Sequence, residues 1–460
     1  MQHSIGLTEK AVAGNTAPLL ESALPSSVEF PAVFFMDSKL AAQYHVEIPK
    51  TNIPVPGYVN ALIGDVSTRR NTIAHHFNTV HEWMPIISKK GFLENINPFN
   101  PLDAGCALLI LCMGLIAWHP NEEAPNPRSP MYMAAKRYQL ELEICGVLSI
   151  RTLQASVFIT LYESGHAIYP SAFLSVATCA RYGSALGIDW RVSSPWKRPF
   201  SWIDAEEKNR LWWAVITLDR ISCIGSIDRE PIIPDPESHI LVPSDTKAWD
   251  DGMKSLPCMY TIATPPIMWG ECGSSGLIAQ ATKLLGQVLR HISSENTLDE
   301  EEAIVLNDTL KALSKLLESP QLSAEESHEL STMNQESICD SALILLHEAH
   351  ATTNPITKTG VYFESIHRAH FVASAVRTAM RQEMLTCMHS ASPFVPILMY
   401  QAGCVSLRFH KKCPTSETLQ NFEAMKQVLT MFKERWKNSE SFLKILEAQE
   451  LHTITDNPLS

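Results

Sequence analysis

Nowhere in this chain do more than two Lys or Arg residues stand together. Arg69-Arg70, Lys89-Lys90, Lys136-Arg137, Lys197-Arg198 and Lys411-Lys412 are isolated pairs, and 37 basic residues face 49 acidic ones for a formal net charge of -12. That balance opposes non-specific attachment to DNA or to an anionic membrane, which needs a clustered basic footprint. Also missing is any C-x-x-C among the 11 scattered cysteines. A zinc-ribbon spacing is thereby excluded, and neither the odd count nor the spacing suggests a disulfide framework. Reduced, mostly buried thiols of a cytosolic or nuclear protein are the expectation.

Long apolar runs are scarce too. The most apolar stretch, Ala104 to Trp118, is shorter than the roughly 18 residues a membrane span requires, and Gly105 and Gly114 weaken it further. Met384 to Leu407 lacks Lys, Arg, Asp and Glu, but His389, Pro393 and Pro396 interrupt it. Both are expected to be core helices, and no membrane association is expected. Met1 to Val28 shows no basic segment followed by an apolar one, so no secretory signal is read there.

Catalytic patterns are equally absent. His347-Glu348-Ala349-His350 places its histidines three apart, whereas the metalloprotease pattern H-E-x-x-H needs four. His367 and His370 repeat that shorter spacing. Gly273-Ser274-Ser275-Gly276 is a flexible turn and not the G-x-S-x-G elbow of a serine hydrolase. There is no P-loop, and no G-x-G-x-x-G follows a strand. Asp250-Asp251 is followed by Gly252-Met253-Lys254, which lacks the further carboxylate a magnesium diphosphate site would use. The sequence therefore predicts no catalytic residues, no metal ligands and no cofactor.

What is present is a helical protein. With 460 residues, 45% hydrophobic and 19% charged, the chain can bury a large core. Residues 1–27, rich in Ser, Ala, Thr and Pro without periodicity, are expected to form a mobile tail. Phe30 to Ser38 is a short apolar anchor followed by a cap, and Pro49, Pro54, Pro56 and Gly57 mark a loop before helix resumes near Asn60. Helical spacing continues over 132–145, 150–163 and 171–186, with Ile150, Leu153, Val157 and Leu161 on one stripe and Phe173, Val176, Ala177 and Ala180 on another. Gly187 stands where a left-handed cap ends the last of these. Further helices are predicted over 277–292, 301–317 and 325–348, around Phe363 to Met380, and after a cap at Ser392-Pro393. The spacing of Phe422, Met425, Leu429, Phe432 and Trp436 spans only two heptads, too short for a dimer zipper, and predicts core. No strand alternation and no internal repeat is found, so the fold class is all-α.

The chain is organised around Ile203 to Pro243. Asp204 is the expected N-cap of a helix, with Glu207 returning the bond, and Leu211, Ala214, Val215, Leu218 and Ile221 make its apolar stripe. Trp212 is expected in the core, with Trp213 off the main stripe. Asp219 and Arg220 interrupt the apolar face and need partners. Asp219 and Arg229, on either side of Gly225, are expected to close the following turn as an ion pair. Pro231, Pro234 and Pro236 then impose an extended path.

This stretch resembles the signature of the fungal transcription factor domain, the middle homology region of zinc binuclear-cluster transcription factors. The residues that carry it are Glu206, Glu207, Arg210, Leu211, Trp212, Trp213, Leu218, Asp219 and Arg220, then Arg229, Pro231, Ile233, Asp235 and Pro243. Asp228 and Glu230 depart from the family's usual Gly and Pro. Similar matches are T-L-Q-A-S-V-F-I-T-L-Y-E from Thr152, A-R-Y-G-S-A-L-G-I-D from Ala180, the Phe30 segment and the closing helices, so the resemblance runs from Phe30 to Glu447.

The resemblance implies one regulatory domain over 28–460 with its signature core at 131–245. It implies a nuclear transcriptional regulator of a metabolic or secondary-metabolite pathway, and not an enzyme. The implied partners are other transcription factors or the transcription machinery, with a small-molecule effector and dimerisation left open. The family's DNA-binding element is a six-cysteine zinc cluster ahead of this region, and the 29 residues before Phe30 hold no cysteine. This chain alone is therefore not expected to bind DNA specifically. The alternative is a helical small-molecule-binding protein or enzyme whose site the sequence does not reveal.

Overall fold

The computed structural model describes residues 33–37, 53–96, 102–120, 126–191, 201–226, 229–252, 260–293, 299–317, 329–353, 368–369, 372 and 391–455. Among these the architecture is all-α, and the one pairing of extended chain is an isolated antiparallel bridge between Leu241 and Thr261. No helix among them is long and apolar enough to cross a membrane.

A central helix, Ile150–Gly165, is buried around its whole circumference from Thr152 to Glu163. Ala104–Ile116 packs along one side of it and Ser171–Ala185 along another, with Pro130–Ile144 and Trp202–Cys223 completing the surround. The apolar run Ala104–Ile116 is thus a core helix, as its length predicts. Gly273–Ser293 pairs with Glu329–Thr353 and packs against Trp202–Cys223, and Val395–Lys412, Ser416–Phe432 and Lys437–Thr455 pack on one another. One continuous apolar core runs through all three groups.

The helix starts follow from local hydrogen bonding. Asp65, Asp103, Ser129, Ser149 and Thr415 each accept the amide three residues on, satisfying one of the donors a helix leaves open at its beginning. Gly187 has φ +66, so the left-handed cap after Ser171–Ala185 is as expected. Phe422, Met425, Leu429, Phe432 and Trp436 are all buried, which makes their spacing a core seam. Trp436 lies beyond the end of Ser416–Phe432, its Nε1 donating to the Ala391 carbonyl at 2.9 Å. Beside it Arg435 donates to the carbonyls of Ile116 and Trp118, which ties the C-terminal helices to the end of Ala104–Ile116.

Several expectations are corrected. The 202–223 helix is capped by Ser201, whose side chain accepts the Asp204 amide at 3.2 Å, so Asp204 sits in the first turn. Glu207 accepts the Ser88 amide and pairs with Arg151 instead of returning a bond to a cap. Phe173 faces out, because the buried face of its helix is Ala172, Ser175, Val176, Cys179 and Ala180. Phe35 and Met36 are exposed in the short helix Val33–Met36. Ser392 accepts the Phe394 amide in a turn, and the helix itself begins at Val395. The 1–27 tail and almost all of the helix expected around 363–380 lie outside the described residues.

Candidate functional site

The signature helix Trp202–Cys223 carries two clusters of buried charge. In the first, Arg210 donates through Nε to Glu206 at 2.7 Å and through Nη2 to the Ser244 carbonyl at 2.7 Å. Its Nη1 reaches Thr246 at 3.1 Å and Ser275 at 3.2 Å, and the guanidinium lies over the Trp249 ring at 4.3 Å. Glu206 also accepts the Ser244 amide at 2.8 Å. One arginine therefore joins the helix to the loop after Pro243 and to the start of Gly273–Ser293. A planar guanidinium with donors in a fixed fork suits such a multi-way joint where an ammonium would not.

In the second cluster Asp219 holds Arg220 at 2.6 Å and accepts the backbone amides of Ile232 and Ile233 at 3.0 and 2.9 Å. Arg220 reaches Asp235 at 3.1 Å, and Arg290 pairs with the other Asp235 oxygen. These bonds pin the proline-punctuated segment onto the helix. The expected Asp219–Arg229 pair is replaced by this arrangement: Arg229 is exposed, its guanidinium 5.0 Å from the Phe173 ring. Gly286 permits the close approach, since a Cβ there would stand 2.6 Å from Arg220 Nε. Both clusters spend their hydrogen bonds on the fold.

An open cavity of about 540 Å³ lies elsewhere, between Val66–Phe77, Lys89–Asn95 and Ala104–Ile116. Ile73, Phe77 and Ile110 line it from the core, and Leu93, Ile96 and Leu102 extend the apolar wall. Arg69, Arg70 and Lys89 also line it, and no carboxylate does among the described residues. Arg69 spends its Nε on the Gly64 and Asp65 carbonyls, and Lys89 Nζ stands 5.9 Å from the Phe77 ring centre.

Residues 73–319, more than half of the chain, match the Fungal specific transcription factor domain. The chain belongs to that family. Transcription factor BOA15 of Botryotinia fuckeliana is 34% identical over 183 residues, 38% of this chain and 98% of that protein. An uncharacterized transcriptional regulatory protein of Schizosaccharomyces pombe is 23% identical over 250 residues, 51% of this chain but only 30% of its own length. The family and these relatives point to a regulator of transcription and not to an enzyme.

In this fungal transcription factor domain both histidines of the H-E-A-H pattern meet polar side chains. His347 Nε2 meets Asn307 at 2.9 Å, and His350 Nε2 meets His291 Nε2 at 2.9 Å with the rings stacked. His291 Nδ1 reaches Glu302 at 2.8 Å. No group of three or more His, Cys, Asp or Glu suited to a metal occurs among the described residues, and His367 and His370 lie outside them. Sequence reading did not place Arg69, Arg70 and Lys89 at one site. Each belongs to an isolated basic pair, but only packing brings Arg69 and Arg70 together with Lys89 at one cavity.

Proposed function

We propose that this fungal transcriptional regulator acts in the nucleus on genes of a metabolic or secondary-metabolite pathway. Its helical body holds other transcription factors or the transcription machinery, and its place on DNA comes from such a partner. The observation that carries the reading is the family match over 73–319, which includes the whole signature and both of its buried charge clusters. It is supported by BOA15, named a transcription factor though the matched region is nearly all of it. The net charge of -12 and the isolated basic pairs support placement by a partner, because specific DNA binding needs several phosphate contacts. The metabolic half of the reading rests on what membership of the family implies. Transcript profiling after deletion of the gene tests it. A coherent set of biosynthetic genes should shift, and an unchanged profile under conditions where the protein is made would refute it.

A further inference from the structure

We infer that the cavity between Val66–Phe77, Lys89–Asn95 and Ala104–Ile116 binds a small organic anion with an apolar body, a soluble aryl or acyl carboxylate or its like. The inference rests on the regulatory reading above and gives that regulator an effector class. Three features of the site fix the chemistry. Its volume of about 540 Å³ accommodates one compound of modest size and not a folded partner. Its interior is hydrocarbon and aromatic, with Ile73, Phe77 and Ile110 at the core side, which favours an apolar body. Among the described residues its only charged lining side chains are Arg69, Arg70 and Lys89, which favour an anionic group.

The cations are available. Among the described residues Arg70 and Lys89 make no ion pair, and both are exposed. They come from different helices, so one anion can bridge them while its body lies against Phe77. A neutral compound of the same shape would gain the apolar contact without the bridge. A cation would be repelled by Arg70 and Lys89, with no acidic side chain among the described lining residues to offset them.

The test uses the purified full chain with two fluorescent probes of one ring system. 1-Anilinonaphthalene-8-sulfonate carries the anion, and N-phenyl-1-naphthylamine lacks it. Saturable binding of the sulfonate at one site per chain is expected, weakening as salt is added. Arg70→Ala with Lys89→Ala changes two exposed positions, so the fold should persist, as circular dichroism would verify. That pair should weaken the sulfonate by about tenfold or more while the neutral probe keeps its affinity. Ala74→Trp, at an exposed lining position, should block both probes. Non-saturable binding of the sulfonate, or saturable binding indifferent to both changes, would overturn the inference. The regulatory reading is measured separately, by reporter output without added ligand. A failed probe titration with an active reporter removes only the cavity, and a silent reporter with intact titration removes only the regulatory role.

Discussion

Gly183 lies directly against the ring of Trp212: a Cβ built on the glycine would stand 2.4 Å from Cζ3 of the indole. The helix Ser171–Ala185 can approach the signature helix this closely only because residue 183 has no side chain. Trp212 is fully buried, so its ring has nowhere to retreat. Gly183→Ala should therefore destabilise the protein by about 1–3 kcal/mol through overpacking, and Trp212→Ala by about 3–5 kcal/mol through the cavity it leaves. The double variant should cost less than the sum, since removing the ring removes the clash. Urea midpoints of the four proteins check this, and strict additivity would contradict the contact.

Asp219 holds together more than its neighbour. Replacing it with Ala strands the buried Arg220 on Asp235 alone and frees the amides of Ile232 and Ile233. The expected cost is about 3–5 kcal/mol, as for breaking other buried pairs. Arg229→Ala should cost under about 1 kcal/mol, because it removes only an exposed cation over Phe173. A double-mutant cycle between 219 and 229 should give a coupling near zero, and a large coupling would restore the pair that the sequence suggested.

Acid should unfold this protein through its buried histidines. His76 is wholly buried, and His166 lies among the rings of Trp118, Tyr162 and Trp436. Their ring nitrogens have no hydrogen-bond partner among the described residues. Burial pushes both imidazoles well below the usual histidine range, with neighbouring cationic groups adding to the effect. The unfolded chain therefore binds protons that the folded chain refuses, and stability falls as pH drops below about 6.5. Each histidine should contribute a slope of about 1.4 kcal/mol per pH unit in that window. Denaturation between pH 7 and 5 should show a slope that steepens toward this value as pH falls, and His76→Phe or His166→Phe should reduce it. An unchanged slope in both variants would contradict the assignment.

The signature helix was legible because its tryptophans and leucines recur at helical spacing and its two ends are marked by cap and glycine residues. Its start was misplaced by three residues because Ser201 and Asp204 are both good caps, and only the backbone path decides which amide is reached. The Asp219–Arg229 pairing failed for a related reason. Arg220 and two backbone amides, at Ile232 and Ile233, already occupy the carboxylate, and sequence spacing does not register backbone donors. Phe173 shows the limit of a stripe: its helix buries small residues against the core and leaves the large one outside. The cavity was not legible at all. Arg69-Arg70 and Lys89-Lys90 sit on separate helices, and each alone is an ordinary solvated pair.

The central claim is that this helical body changes transcription once it is brought to DNA. The full chain fused to an unrelated DNA-binding domain, on a reporter carrying that domain's sites, measures it directly. Output should depart, upward or downward, from that of the DNA-binding domain alone, and should return to baseline when Asp219→Ala disrupts the signature. Output equal to the DNA-binding domain alone, from a fusion verified as folded and nuclear, would contradict it.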